Sequence, residues 1–574
     1  MDALSRLTAE RLFSWKARAA EGAGICPYLL LCLLCFTLYV PGLAAIPPLD
    51  RDEARFAQAT RQMLETGDFV RIRFQEEARN KKPAGIYWLQ AAAVAAFSSP
   101  ESAKIWPYRL PSALAAAAAA LLTFSFGARL LRSPQAGFVA AVLTATALLV
   151  VVEAHLAKTD AALLAAVVAA QGALGLVYAG GRGGWRISPA VPVVFWLAEG
   201  VAMLLKGPPG PVLALLTVTS LSIADRDVGW LKGLQPLAGI FMTALVVAPW
   251  LVAVESATAG RFIFDAVSND LLRKLVGAQE SHGAPPGYYL AVAVASFWPG
   301  SLFIVPAILW GWHQRHAAAE RFLLAWLIPA WIFFELMPTK LPHYVLPVYP
   351  ALALLVGSTL AGGSAVPLAG GSAVPLAGPA RVFDRSVKLF WGMVSIGMAA
   401  VLLVLPCWLG GTVSLATITA AILMLGLALL LFFLDGRPMQ TVGVTAVLAA
   451  AFVLPAALVV APELNSLWLS RSAAALLDRY PPAPGEAVLS VGYSEPSLVF
   501  LLGTATRMVT AEPSTHQLAG AGMALVNDRF CPEFRRSLAS HNLSARALGG
   551  VEGFDYSSGG GKLVLTLYRL EPVE

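Results

Sequence analysis

The stretch Pro47-Pro48-Leu49-Asp50-Arg51-Asp52-Glu53-Ala54-Arg55-Phe56-Ala57 follows the first long apolar run of the chain and continues to Asn80-Lys81-Lys82-Pro83. Ionised side chains cost about 2.5–3.5 kcal/mol each at the centre of a bilayer. So dense a charged stretch is therefore a loop at a membrane surface. From Asp52 the apolar residues Phe56, Ala59 and Met63 recur at three- to four-residue spacing, which predicts a short amphipathic helix able to lie along the interface. Asp52 and Glu53 fall in its first turn, where the helix dipole favours anions, and Arg55 shares the face of Asp52. Taken alone, the pattern is a solvated helix cap with a local ion pair. Charges elsewhere in the chain give it a second meaning.

The 574 residues are 57% hydrophobic and only 13% charged, about half the charge of a soluble domain. This composition predicts a polytopic α-helical membrane protein. A span needs about 20 apolar residues, and candidates lie near 25–43, 111–128, 135–152, 161–179, 190–205, 210–224, 236–254, 287–310, 321–337, 345–361, 387–409, 412–434 and 440–461. The run from Pro83 to Phe97 is shorter, and its status decides the topology. The basic loops 129–132, 182–186, 226–232, 313–321 and 381–388 are cytoplasmic by the positive-inside rule. With the N-terminus also cytoplasmic, as Arg6, Arg11, Lys16 and Arg18 indicate, the alternation holds only if 83–97 stays on the outer side as a juxtamembrane or re-entrant segment. The expected architecture is about 13 spans, with 44–110 as a first outer loop carrying juxtamembrane helices.

The membrane domain is expected over 1–461. Beyond Pro462, short β-branched runs at Val488–Val491, Arg507–Thr510, Ala524–Val526 and Leu563–Arg569 alternate with amphipathic stretches at Glu495–Leu502 and Pro532–His541. They predict a small extracytoplasmic α/β domain over 462–574. Ser557-Ser558-Gly559-Gly560-Gly561 reads as a hairpin loop before its last strand. A tandem Gly-Gly-Ser-Ala-Val-Pro-Leu-Ala from Gly362 to Ala377 reads as a linker. Cys26, Cys32, Cys35, Cys407 and Cys531 lack zinc-ligand spacing and read as packing residues. The formal charge of +6 belongs to loops beside spans, which excludes nucleic acid as the natural partner and points to phosphorylated lipid.

Three further charged motifs stand at span edges: His155, Lys158, Thr159 and Asp160; Leu205-Lys206-Gly207-Pro208; and Thr339-Lys340-Leu341-Pro342-His343-Tyr344. One such lysine would only snorkel. Under the orientation chosen from other loops, however, all of them fall on the side of Asp52. Lys82, Arg109, Lys206, Arg273 and Lys340 would there neutralise a phosphate, lysine as a point charge and arginine in bidentate fashion. A carboxylate beside them accepts a proton or positions an acceptor.

On Asp52-Glu53-Ala54-Arg55-Phe56-Ala57, Gly67-Asp68-Phe69-Val70, Lys82-Pro83 with Tyr87-Trp88, Arg109-Leu110-Pro111-Ser112, Thr159-Asp160, Lys206-Gly207-Pro208 and Lys340-Leu341-Pro342-His343-Tyr344, the chain resembles the GT-C fold glycosyltransferases. It is most similar to the bacterial aminoarabinose lipid A transferase family, itself related to the protein O-mannosyltransferases. The resemblance covers roughly the first 350 residues in motif order. It implies sugar transfer from a polyprenyl-phosphate donor on the periplasmic side of the bacterial inner membrane, with lipid A or another envelope glycolipid as acceptor. It implies Asp52, Glu53 and Asp160 as catalytic carboxylates, and Arg55, Lys82, Tyr87, Arg109, Lys206, Arg273, Lys340, His343 and Tyr344 around the donor phosphate. No cofactor and no catalytic metal are implied, and a monomer among membrane lipids is expected. Glu76, Glu77 and His282 could hold an ion but read as solvated surface. Asn80-Lys81 departs from the family pattern, which has an acidic residue before the Lys-Pro pair.

Asp52 keeps two roles open: base toward a hydroxyl acceptor, as in a protein O-mannosyltransferase, or positioning group toward an ionised phosphate. A transporter of phosphorylated lipid carriers would use the same basic pocket, but predicts internal repeats or charges deep in broken helices. A third reading makes the spans an anchor for the C-terminal domain, and an anchor needs no convergence of polar residues.

Overall fold

A computed structural model describes residues 24–271, 283–361, 379–434, 438–557 and 559–573. The basic N-terminal residues, Arg273, His282 and the tandem repeat of 362–377 lie outside the described residues. The first part of the chain forms helices α1 (Ile25–Tyr39), α2 (Asp52–Thr66), α3 (Gly85–Phe97), α4 (Trp106–Leu130), α5 (Pro134–Thr146), α6 (Leu148–Ala154), α7 (Asp160–Gly183), α8 (Ala190–Lys206), α9 (Pro209–Asp225) and α10 (Pro236–Ala257). Further long helices run over Ala318–Leu336, Tyr349–Ala361, Pro379–Trp408, Leu415–Leu431 and Pro438–Pro455.

Each segment expected to cross the membrane contains helix. Among the described residues six helices are long and apolar enough to span alone, or seven if the α5–α6 pair, bent by 60°, counts as one; the other apolar helices are shorter. α3, at 13 residues, is about 20 Å long against a hydrocarbon core of about 30 Å. Large apolar side chains stand exposed along the outward faces, with Leu237, Phe241, Leu245 and Val252 on α10 as an example. A surface of this kind faces lipid rather than water. The chain is a multi-pass membrane protein.

Small residues set the packing at the centre. The alanine run of α4 buries Ala113, Ala116, Ala119 and Ala120 completely or nearly so. Gly137 of α5 lies so close to α4 that a Cβ there would come within 2.6 Å of the Ala128 nitrogen. Small residues at such crossings let backbones approach where no hydrophobic effect drives helices together. α5 breaks at Ala147, and the freed Leu148 N–H donates to the carbonyl of Trp298 at 3.0 Å. That bond fixes the bend and turns α6 so that Glu153 points toward the start of α7.

After Glu463 the character changes. Strands β3 (Ala487–Val491), β4 (Arg507–Val509), β5 (Ala521–Asn527), β6 (Leu543–Asp555) and β7 (Gly561–Pro572) form one sheet in the order β4-β3-β5-β7-β6. β3 pairs parallel with β4 and β5, while β7 pairs antiparallel with β5 and β6. Strand alternation gives two apolar faces. Met523, Leu525 and Leu567 on one face cluster with Leu498 of the helix Pro496–Leu502 and with Leu469, Ala473 and Leu477 of the helix Leu469–Arg479. Leu489, Val526 and Leu570 on the other cluster with Phe534 and Leu538 of the helix Cys531–Ser540. β6 is absent from the sequence expectation. Its Gly549, Gly550 and Gly553 lower strand propensity, and it forms by pairing along β7 across the hairpin that Gly559 and Gly560 turn.

Candidate active site

α2 is the expected amphipathic helix, with Phe56, Ala59 and Met63 buried. It does not lie free on an interface. Arg61 donates to the carbonyl of Phe500 at 2.9 Å, and Gln58 donates to the hydroxyl of Thr504 at 2.8 Å, so the sheet region clamps its outer side. A two-stranded hairpin, β1 (Arg73–Phe74) with β2 (Glu77–Ala78), braces it from below through Gln75, whose N–H donates to Gln62 at 2.8 Å.

Glu53 and Arg109 form a closed knot. Both are buried, and Arg109 donates from Nε and Nη2 to the two Glu53 oxygens at 2.8 Å each. Its remaining donors reach the carbonyls of Leu43, Ile46 and Pro47. Glu53 also accepts the N–H of Leu49 and that of Ala157, each at 2.8 Å. Ser112, in the same Arg-Leu-Pro-Ser motif, donates to the carbonyl of Lys158 at 3.2 Å. The motif therefore fixes the loop 43–49 and holds residues 157–158 in place.

Lys158 then stands among carboxylates. Its ammonium is 3.2 Å from Glu153 and 3.7 Å from Asp160. Burial works against its charge, but Glu153, Asp160 and Asp52 raise its pKa above the ordinary lysine value and keep it protonated. Asp160 opens α7 and Lys206 closes the antiparallel α8, each at the helix end whose dipole suits its charge. The two pair directly through Lys206 Nζ and Asp160 Oδ1. Gly207, at φ +80°, then lets Pro208 reverse the chain. His343 bridges the group, 3.9 Å from both Glu153 and Asp160. Lys206 also sits 5.7 Å above the ring of Tyr344, a cation–π geometry.

Asp52 stands at the exposed edge of this cluster. Burial tends to raise its carboxyl, yet the charges of Lys158, Arg79 and Arg55 hold it below the usual carboxylate range. Arg79 is carried by Tyr87, which accepts its Nε–H at 3.1 Å, and lies 4.9 Å over the ring of Phe56. Tyr87 is fully buried, so its place is beneath Arg79 rather than in the open site. Lys340 donates to the carbonyls of Ala284 and Met337 at 3.1 and 3.0 Å, joining two loops beside His343. Lys82 precedes α3, whose Gly85 packs on the backbone of α8 so closely that a Cβ would meet the Leu204 carbonyl at 2.7 Å. The segment of Lys82 thereby lies along the end of α8 that carries Lys206. Asn80, in the position where an acid was expected, donates to Asp265 at 2.9 Å; an acid there would face Asp265 with like charge.

Asp52, Asp160, Lys206, His343 and Tyr344 thus converge, while Glu53, Arg109 and Tyr87 support them from behind. Glu153 and Arg79 belong to the cluster and are missing from the sequence expectation, which named Lys158 in the motif before Asp160 but gave it no role. Glu153, Asp160 and His343 offer ligand atoms within 4.8 Å of one another, enough to hold a cation. Both carboxylates, however, already face an ammonium group, Lys158 and Lys206 respectively, so a metal would have to displace these partners.

Residues 25–263 match the family model described as Dolichyl-phosphate-mannose-protein mannosyltransferase. The undecaprenyl phosphate-alpha-4-amino-4-deoxy-L-arabinose arabinosyl transferase of Pseudomonas paraeruginosa (strain DSM 24068 / PA7) is 30% identical over 311 residues, 54% of this chain and 55% of the relative. The protein of the same name from Aeromonas hydrophila subsp. hydrophila is 28% identical over 319 residues, 54% of this chain and 57% of the relative. The chain spans about half the length of the curated relatives it matches. The crystal structure of ArnT from Cupriavidus metallidurans bound to undecaprenyl phosphate superposes with a TM-score of 0.70 at 19% identity, over 95% of this chain and 98% of that one. The chain has the ArnT fold. The archaeal oligosaccharyltransferase AglB from Archaeoglobus fulgidus is more distant, with a TM-score of 0.54 and 12% identity over 94% of this chain and 73% of its own. The family match takes in Asp52, Lys82, Lys158, Asp160 and Lys206 but stops short of Lys340–Tyr344; the match to ArnT runs along nearly the whole chain.

Proposed function

We propose that the chain is a polyprenyl-phosphate-dependent glycosyltransferase of the inner membrane. It transfers an aminoarabinose-type sugar to lipid A or a related envelope glycolipid on the periplasmic side. The membrane domain of about 13 spans carries the site, α3 stays on the outer side, and residues 462–574 form a periplasmic domain over it. The observation that carries this reading is the juxtaposition of Asp52 with Lys158, Lys206, Asp160 and His343 at one end of the helix bundle.

In the reaction an acceptor oxygen attacks the anomeric carbon while the bond from that carbon to the donor phosphate breaks. The departing polyprenyl phosphate gains one negative charge. Lys158, Lys206 and Arg79, with Lys82, stabilise that charge as it develops. Arg273, outside the described residues, is assigned to the same phosphate by the resemblance alone. Arg55 and Lys340 add positive potential at the rim, and the Tyr344 ring orients Lys206. Glu53 and Arg109 position Lys158. Asp52, held ionised by its cationic neighbours, is a weak base. That weak basicity fits an acceptor that is already ionised and needs no base, as with a lipid phosphate, better than a hydroxyl that must be deprotonated, and leaves Asp52 to position the donor sugar.

The test incubates the purified full chain with a labelled polyprenyl-phosphate sugar and extracted envelope lipids. Covalent transfer to lipid is expected; relocation of label without product would make the chain a transporter, and product on protein hydroxyls would make it an O-mannosyltransferase-like enzyme. Asp52→Asn should abolish transfer, and near-normal turnover would remove Asp52 from the site. Lys158→Ala should lower turnover about 10²–10³-fold, the effect of losing one preorganised group that stabilises developing charge.

A further inference from the structure

α7 is 24 residues long, about 36 Å at 1.5 Å per residue. Asp160 stands at one end of it, and Tyr178 and Arg182 stand at the other. At that far end Arg182 lies 2.6 Å from Asp225, the last residue of α9. Tyr178 donates to the same carboxylate at 2.6 Å, and Arg321 of the helix Ala318–Leu336 pairs with its other oxygen. Beside this node a cavity of about 290 Å³ opens between α9 and Ala318–Leu336. Leu221, Leu324, Ala325, Ile328 and Pro329 make its walls, and Arg315, His316 and Arg321 stand at its mouth.

The charge at the mouth is unbalanced. Asp225 is shared by two arginines, and Glu320 turns away to accept the Ser358 hydroxyl at 2.7 Å. Arg315 is exposed and lies 5.3 Å over the ring of Trp312, donating to that residue's carbonyl at 2.9 Å. No carboxylate pairs with Arg315 among the described residues. Trp312 itself is 59% exposed, as aromatic side chains are at the level of lipid headgroups. A free anion would gain nothing from the apolar walls, and a neutral lipid would leave Arg315 unanswered.

We propose that this groove binds an anionic phospholipid of the leaflet it faces. The phosphate sits against Arg315 and His316, and one acyl chain lies along Leu221, Leu324 and Ile328. Basic pockets between helices at the headgroup level recognise anionic lipid in this way, through charge-assisted bonds above and apolar burial below. The groove lies across the membrane from the proposed transfer site and does not depend on that assignment.

Native mass spectrometry of the detergent-purified full chain tests this, with dioleoyl-phosphatidylglycerol and dioleoyl-phosphatidylcholine offered at equal concentration. The anionic lipid should be retained over the neutral one, and Arg315→Gln combined with His316→Gln should lower its retention about fivefold, the worth of one cation beside an anionic headgroup. Ala224→Trp, which puts a large ring in the cavity lining, should lower retention without removing a charge. Arg321 is left in place because it also holds Asp225. Equal retention of the two lipids overturns the proposal, as does unchanged retention in the double variant. Inorganic phosphate raising the thermal unfolding temperature as much as phosphatidylglycerol would overturn it too.

Discussion

Arg109 is the residue whose role the structure redefines most. It sits fully buried with every donor used, in a bidentate pair with Glu53 and three carbonyl contacts. Removing one partner of a buried pair costs about 3–5 kcal/mol because the other charge is left stranded. Arg109→Met should therefore destabilise the chain by about that amount, read as a lowered unfolding midpoint in denaturant. Arg109→Lys should not restore it, since an ammonium cannot span both Glu53 oxygens and the loop carbonyls. A midpoint unchanged in Arg109→Met would show that the knot holds nothing. Asp52, Asp160 and Lys206 were legible in the sequence because charges at span edges stand out against apolar runs. Glu153 was not, since it follows Val150-Val151-Val152 and reads as the end of a span. Its partner Lys158 is brought to it by the bend at Ala147 and by the Glu53 and Ser112 bonds, none of which has a local signal.

Among the elements, α3 carries the most consequence for its length. The sequence identified Pro83 to Phe97 as the segment on which the topology turns, and its helix is too short to cross unaided. What composition alone left open was how closely it docks. Gly85 meets the α8 backbone at Leu204, two residues before Lys206, with no room for a Cβ. Gly85→Val should push the start of α3 away from α8 and carry Lys82 from the proposed phosphate site. Donor affinity should fall at least tenfold, about 1.4 kcal/mol, with a smaller change in turnover at saturating donor. An unaltered donor affinity would detach Lys82 from the proposed site. The C-terminal strands illustrate the opposite limit. β3, β4, β5 and β7 carry β-branched or apolar runs and were expected, whereas β6 exists only through its register along β7.

Across the whole molecule, the loop and the sheet region meet at Asp50. Arg51, at φ +60°, turns the chain sharply between Asp50 and Asp52, so the two carboxylates serve different places. Asp52 faces Lys158, while Asp50 accepts the Ser497 hydroxyl, and its N–H donates to Tyr556 at 2.9 Å. Burial pushes the Asp50 carboxyl up to about 7, with Glu495 and Asp555 adding to the rise against the bonds from Ser497 and Tyr556. In the unfolded chain the same group titrates near about 3.9. Between these values the folded protein holds a proton that the unfolded chain has lost. The docked junction is thus favoured at low pH, and its stability falls as pH rises from about 4 to about 7. Glu495, buried beside it and raised in the same direction, adds to the slope. The unfolding temperature of the full chain should therefore drop between pH 5 and pH 8. Asp50→Asn, a neutral carboxyl mimic, should flatten most of that drop and raise the unfolding temperature at pH 8. A profile in Asp50→Asn as steep as in the parent would place the titrating group elsewhere. A flat profile in both would mean that the sheet region does not lean on Asp50 to cover the loop that carries Asp52.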